Sequence, residues 1–175
     1  MSSLRKLFQS RRKLFWAAAV AVVAADQLSK VLLWQHPDGG RAPIVLIPKL
    51  LRIISHEGNT RAVFGQGPAS PAFYIGAALV GLGLIGIFFW TTDAGKGLVH
   101  VALGMLAGGA VGNLIDRATL QRVRDFIDLH WGAHHWPTFN LADAAICTGF
   151  ALVVYDCFFA RPALAEQQEG EPADV

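Results

Sequence analysis

Four long apolar stretches punctuate this chain, at residues 14–34, 72–90, 97–115 and 138–160. Each is close to the roughly 20 residues a helix needs to cross a bilayer. The third and fourth stretches carry Gly, Asn and Asp near one end. Such groups are costly against lipid and tolerable toward a bundle interior or the water interface. The pattern predicts an all-α integral membrane protein, a four-helix bundle with one polar seam. Between the first two stretches, Ile44 to Ile47 and Leu50 to Ile54 are short β-prone runs broken by Pro43, Pro48 and Gly58. A small β element resting on the membrane surface is expected within 35–71. Residues 1–160 read as one membrane domain and 161–175, rich in Glu, as a disordered cytoplasmic tail.

Composition strengthens the membrane reading. Of 175 residues, 53% are hydrophobic and 16% charged, against about 25% charged in soluble domains. The mean hydropathy is +0.40, which leaves too little polar surface to cover a small soluble globule. The net charge of +2 does not point to nucleic acid, because Arg5, Lys6, Arg11, Arg12 and Lys13 directly precede the first apolar stretch. A basic cluster there orients a membrane helix with its N-terminus in the cytoplasm, which puts the 91–96 link and the C-terminus on the same side. The remaining Lys and Arg divide too evenly between the two sides to decide the orientation alone. A cleaved signal peptide ending near Val23-Ala24-Ala25 competes with this reading, but the apolar run resumes at Leu28 and reaches Trp34. Cys147 and Cys157 share one apolar stretch at a spacing that spans about 15 Å of helix, so no disulfide framework is expected.

Polar residues in or beside the stretches fall in five clusters: DQLSK from Asp26, NTRAVFG from Asn59, GGAVGNLIDR from Gly108, DFID from Asp125 and FNLADAAI from Phe139. With the orientation above, all five lie at one depth, in or just beyond the outer half of the membrane, which suggests a single site. Asp26 and Lys30 share a helix face and can neutralise each other, with Lys30 free to snorkel outward. Asn140 and Asp143 can face inward together, although an Asp there also suits a helix N-terminus. Gly104, Gly108 and Gly112 form a small-residue stripe for close helix approach. Asn113 and Asp116, one turn apart, either orient an active-site group or satisfy Arg117. Two carboxylates in a low-dielectric pocket suffice for peptide hydrolysis, one activating water while its protonated partner polarises the scissile carbonyl. Asp125 and Asp143 are in segments able to converge, yet periodicity does not choose them over Asp116 or Asp128.

Other chemistries have weaker support. His56-Glu57 starts like a zinc-protease helix, but Thr60 stands where the second His belongs. His130, His134 and His135 could bind a metal, but Trp131, Gly132, Trp136 and Pro137 around them read as an interfacial belt. Ser29 and Lys30 are adjacent and point to different helix faces, which argues against a Ser/Lys dyad.

In their order along the chain, the five clusters resemble the lipoprotein signal peptidase (signal peptidase II) family of bacterial intramembrane aspartic proteases, over residues 14–160. The resemblance implies four transmembrane helices, a small extracytoplasmic β element and both termini in the cytoplasm, in the bacterial inner membrane. It also implies cleavage of a prolipoprotein signal peptide just before a diacylglyceryl-modified Cys. On this likeness Asp125 and Asp143 match the catalytic dyad and Asn140 the amide beside it. Asp26, Lys30, Asn59, Gly108, Gly112, Asn113 and Arg117 match supporting positions. No cofactor or metal is expected; the partners are prolipoprotein substrates and membrane lipid, with no nucleic acid and no obligatory protein partner. Arg61 and Arg124 depart from the family pattern, which usually has Gly and an apolar residue there, and both departures bear on loop contacts. The alternative is a small proton- or ion-coupled carrier with Asp26, Asp116 and Asp143 as a relay.

Overall fold

A computed structural model describes residues 2–34, 42–54, 59 and 70–160. Among these, four helices are long and apolar enough to cross a membrane, over Arg12–Leu33, Ala72–Thr91, Gly97–Leu120 and Leu141–Phe159. They lie in α1 (Ser2–Leu33), α2 (Pro71–Thr91), α3 (Gly97–Leu120) and α4 (Leu141–Tyr155), the last continued by π-helical turns over Asp156–Ala160. The expected four-helix membrane bundle is therefore the observed one. Arg61, His56 and the tail after Ala160 lie outside the described residues.

α3 is the central helix, packed against α1, α2 and α4, and half of its apolar window is buried. α2 is its opposite. It starts at a Pro, whose missing N–H costs nothing in a first turn. It carries no charged residue and turns Leu79, Val80, Leu84, Ile87, Phe88 and Trp90 outward, as a lipid-facing helix should. Phe15, Phe89, Val99, Leu103 and Ala107 form an apolar core at the end where α2 turns into α3. At that end Arg12 lies over the rings of Phe89 and Trp90, and Lys96 pairs with Asp156 at 2.8 Å.

The glycine stripe does what its spacing suggests. A Cβ on Gly108 would lie 2.7 Å from the Ala19 carbonyl oxygen of α1, and one on Gly112 would lie 2.5 Å from Asp26 Oδ2. Both distances are below any real Cβ contact, so larger residues would push α1 away from α3. α3 also continues past 115 to Leu120, so Asp116 and Arg117 are helical. It ends at Gln121, whose N–H still reaches the Arg117 carbonyl and whose left-handed backbone (φ 58°) then turns the chain out of the helix. The fourth helix starts at Leu141 rather than 138, because Asn140 caps it.

The β element is an antiparallel four-stranded sheet in the order β1 (Ile44–Ile47), β2 (Leu51–Ile53), β3 (Ile127–Trp131), β4 (His134–His135). The first two strands are the β-prone runs read from the sequence. The other two come from the segment read as an interfacial belt. β1 is exposed at all four positions despite being wholly apolar, as expected of a strand lying on a bilayer surface.

Candidate active site

Asp125 sits in the short connection between α3 and β3, and backbone hydrogen bonds hold it on both sides. Upstream, Val123 exchanges two 2.8 Å bonds with Asn59. Downstream, the Phe126 carbonyl accepts from Ile54 N at 2.9 Å, and Phe126 N and Ile127 N both donate to the Phe139 carbonyl. The Phe126 side chain is 1% exposed and anchors the turn. β3 thus ties the Asp125 loop to the entry of α4, which carries Asp143.

Asp143 is fixed by a capping box. Asn140 Oδ1 accepts from the Asp143 backbone N–H at 3.1 Å, and Asp143 Oδ2 accepts from the Asn140 N–H at 3.2 Å. Such reciprocal bonds satisfy donors that a helix start leaves open. The sequence offered these residues an inward face and Asp143 a place near a helix N-terminus; Asp143 does stand in the first turn of α4, and the cap by Asn140 comes from the fold. The fully buried Asn140 also donates through Nδ2 to Asp125 Oδ1 at 2.7 Å and to Asn113 Oδ1 at 3.1 Å. Asn113, from α3, donates to Asp143 Oδ1 at 2.8 Å. Two amides therefore bridge the two carboxylates, and the Asn59 side chain supplies a further bond to Asp125.

Behind these amides lies a cluster of charges with no exposed side-chain surface. Lys30 Nζ contacts Asp26 Oδ2 at 2.8 Å, Asp116 Oδ2 at 3.2 Å and Asn113 Oδ1 at 3.0 Å. Lys30 therefore points into the bundle and does not snorkel outward, because two carboxylates and an amide offer it more than the interface would. Asp26 Oδ1 accepts the Ala142 N–H at 3.0 Å, another open donor of α4. Asp116 satisfies Arg124, not Arg117: it takes the Arg124 backbone N–H at 2.9 Å and its Nη2 at 2.6 Å. Arg124 also donates to Gln27 Oε1 at 2.8 Å, so this departure from the family pattern fills a buried acceptor set one residue before Asp125. Arg117 instead stacks on the Tyr74 ring of α2 at 5.2 Å and interacts electrostatically with Asp143 and Asp125.

All ten residues singled out from the sequence are described, and they converge. Asp125, Asp143, Asn140, Asn113 and Asn59 share one hydrogen-bonded cluster. Asp26 and Lys30 sit directly behind it. Gly112 gives Asp26 its room, Gly108 sets the α1–α3 spacing and Arg117 lies to one side. Gln27, Arg124 and Tyr74 were missed as contributors, and nothing in their spacing signals a contact made through folding alone. Asp128, the fourth candidate carboxylate, lies apart in β3 with Arg52 and His135 as partners.

Burial pushes the Asp125 carboxyl up to about 7, and the negative charge of Asp143 adds to the effect. The bonds from Asn140 and Asn59 and the more distant Lys30 only partly offset these two causes. A pair of neighbouring carboxyls with one member titrating near neutrality can hold a single shared proton. Asp128 behaves oppositely: burial would raise it, but hydrogen bonds from His135 and Arg52 outweigh burial and hold it below the usual carboxylate range.

The family model for signal peptidase (SPase) II matches residues 18–159. Lipoprotein signal peptidase of Bacillus subtilis (strain 168) is 38% identical over 144 residues, covering 80% of this chain and 90% of the relative. That of Bacillus velezensis (strain DSM 23117 / BGSC 10A6 / LMG 26770 / FZB42) is 35% identical over 156 residues, covering 88% and 99%. A solved bacterial membrane enzyme, determined by the in meso method at 2.3 Å resolution, superposes with a TM-score of 0.72 at 27% identity, covering 92% of this chain and 93% of its own. With the match running from the middle of α1 to the end of α4, and the relatives covered nearly end to end, the chain belongs to the signal peptidase II family.

Proposed function

We propose that this protease cleaves the signal peptide from diacylglyceryl-modified prolipoproteins immediately before the lipidated Cys, with Asp125 and Asp143 as its catalytic pair. One carboxylate takes a proton from a water while the other, protonated, donates to the scissile carbonyl, and the proton then passes to the leaving amine. The observation that carries this reading is the amide bridge: Asn140 and Asn113 hold the two carboxyls to one another, and among the described residues neither carboxyl has a direct ion pair with a Lys or Arg. Asp116 and Asp128, which periodicity left open, are each engaged by an Arg or Lys and so are poor proton carriers. No cofactor is required by this chemistry. The family assignment removes the support for the carrier alternative, and Lys30 neutralises two of its three relay carboxylates.

The orientation belongs to the same proposal. Both termini lie in the cytoplasm of a bacterial inner membrane, and the pair sits near the outer face, where a lipid-anchored substrate arrives by lateral diffusion. The deciding experiment is cleavage of a diacylglyceryl-modified prolipoprotein by purified protein in detergent with chelator present. Wild type cleaves, while Asp125→Asn and Asp143→Asn, folded by circular dichroism, do not. Near wild-type turnover by either variant would remove that residue from the pair.

A further inference from the structure

The β3–β4 hairpin gathers a second set of groups that the peptidase chemistry does not use. Asp128 and His130 are two apart in β3, and so share a face of the strand. His135 stands directly opposite His130 in the register of β4. Asp128 is 2% exposed; its Oδ1 lies 2.9 Å from His135 Nδ1 and its Oδ2 lies 3.6 Å from His130 Nδ1. The two imidazoles run nearly parallel, 18° apart with centroids at 5.2 Å, each with Nδ1 toward the same carboxylate. One donor atom from each residue falls within 4.8 Å of the others. His130 Nδ1 is buried without a hydrogen-bond partner, although a buried ring nitrogen of this kind normally has one.

We propose that Asp128, His130 and His135 form a binding site for a divalent transition cation of the zinc type. Two imidazole nitrogens and one carboxylate oxygen, with water as the fourth ligand, are a donor set suited to such an ion, whereas magnesium and calcium favour oxygen alone. At bond lengths of about 2.0–2.1 Å a tetrahedral ion holds its donors roughly 3.3 Å apart. The Asp128–His135 pair is already closer than that, and His130 has only to swing inward, losing no bond at Nδ1. Arg52 engages Oδ2 of Asp128 and leaves Oδ1 to the ion. His135, which shares a proton with Asp128 through Nδ1, would carry it on Nε2 instead, where its half-exposed ring reaches water. The nearby Arg52 charge makes this site weaker than a closed structural zinc site.

The cation takes no part in cleavage. It ties β3 to β4 across the turn at Gly132, stiffening the hairpin that joins the Asp125 loop to Asn140 and α4. This role departs from the metal-free expectation drawn from the sequence, where the neighbouring tryptophans masked the pairing of two histidines with Asp128.

The test uses tag-free, full-length protein in detergent, titrated with Zn²⁺ by calorimetry and with Co²⁺ by its visible absorption, which reports nitrogen and oxygen coordination. Wild type and Asp125→Asn bind one equivalent, as does His134→Gln, whereas His130→Gln and His135→Gln weaken binding by roughly tenfold or more. Asp125→Asn separates the two proposals, since it is inactive as a peptidase yet keeps the ion. His130→Gln is decisive even if His135→Gln fails to fold, because His130 Nδ1 has no hydrogen bond to lose. Absence of binding by wild type, or unchanged binding by His130→Gln, would overturn the site.

Discussion

Two groups of carboxylates meet at the same end of the bundle and are treated in opposite ways. Asp26 and Asp116 are saturated by cations, Lys30 between them and Arg124 beyond. Asp125 and Asp143 receive neutral amides from Asn140, Asn113 and Asn59. A cation favours the ionised form strongly and holds it there, whereas an amide satisfies an acceptor without fixing its charge. The first group is suited to holding helices together in lipid and the second to exchanging a proton. Asn113 joins the two, with its oxygen on Lys30 and its nitrogen on Asp143.

The contrast breaks most severely at Lys30. Lys30→Met leaves Asp26 without its ion-pair partner and Asp116 with Arg124 alone, at a site closed to water. Removing one partner of a buried pair costs about 3–5 kcal/mol, so a large drop in thermal unfolding temperature in detergent is expected. The double variant Asp26→Asn/Lys30→Met should recover part of that loss. A stable Lys30→Met protein would show that the charges do not hold the bundle.

Asn140→Ala strikes the amide side. The lost cap costs about 1 kcal/mol, while displacement of Asp125 and Asp143 from one another should lower turnover by about 100-fold. Measuring unfolding and kcat on one preparation separates the two effects, because a purely structural Asn140 would lower neither kcat nor the pH dependence of the folded enzyme.

The most gradual effect is on pH. The folded Asp125 carboxyl titrates near 7, well above the roughly 3.9 of an unfolded Asp. A carboxyl that is raised on folding disfavours the folded state once it ionises. Its contribution is therefore neutral below about pH 4, grows unfavourable through the window up to about 7 and is constant above it. Stability should fall across that window by at most about 1.4 kcal/mol per pH unit, and Asp125→Asn should flatten the slope. Cleavage should decline above about pH 7 as the shared proton is lost. An unchanged slope in Asp125→Asn would place the titrating group elsewhere.

Apolar runs of bilayer length specified the four helices, and the β-prone runs at 44–47 and 50–54 specified half of the sheet, since both follow from local hydropathy and strand preference. The other half was hidden, because the histidines and tryptophans between His130 and Trp136 read equally as an interfacial belt. In the same way, Asp26 and Lys30 were legible as an i,i+4 pair, but not that Lys30 reaches 83 positions along the chain to Asn113.

Sequence by itself thus determined a four-span membrane protein with its polar groups at one depth, and resemblance pointed to Asp125 and Asp143. Tertiary structure decided which carboxylates meet cations and which meet amides. That distinction separates Asp125 from Asp116, nine positions away, and Arg124, whose departure from the family pattern looked like a loop detail, enforces it together with Lys30. Hydropathy is a property of single residues summed along the chain, so it survives in one dimension. The state of a buried carboxylate depends on groups brought within about 3 Å of it by folding, and spacing along one helix reports only those that share that helix.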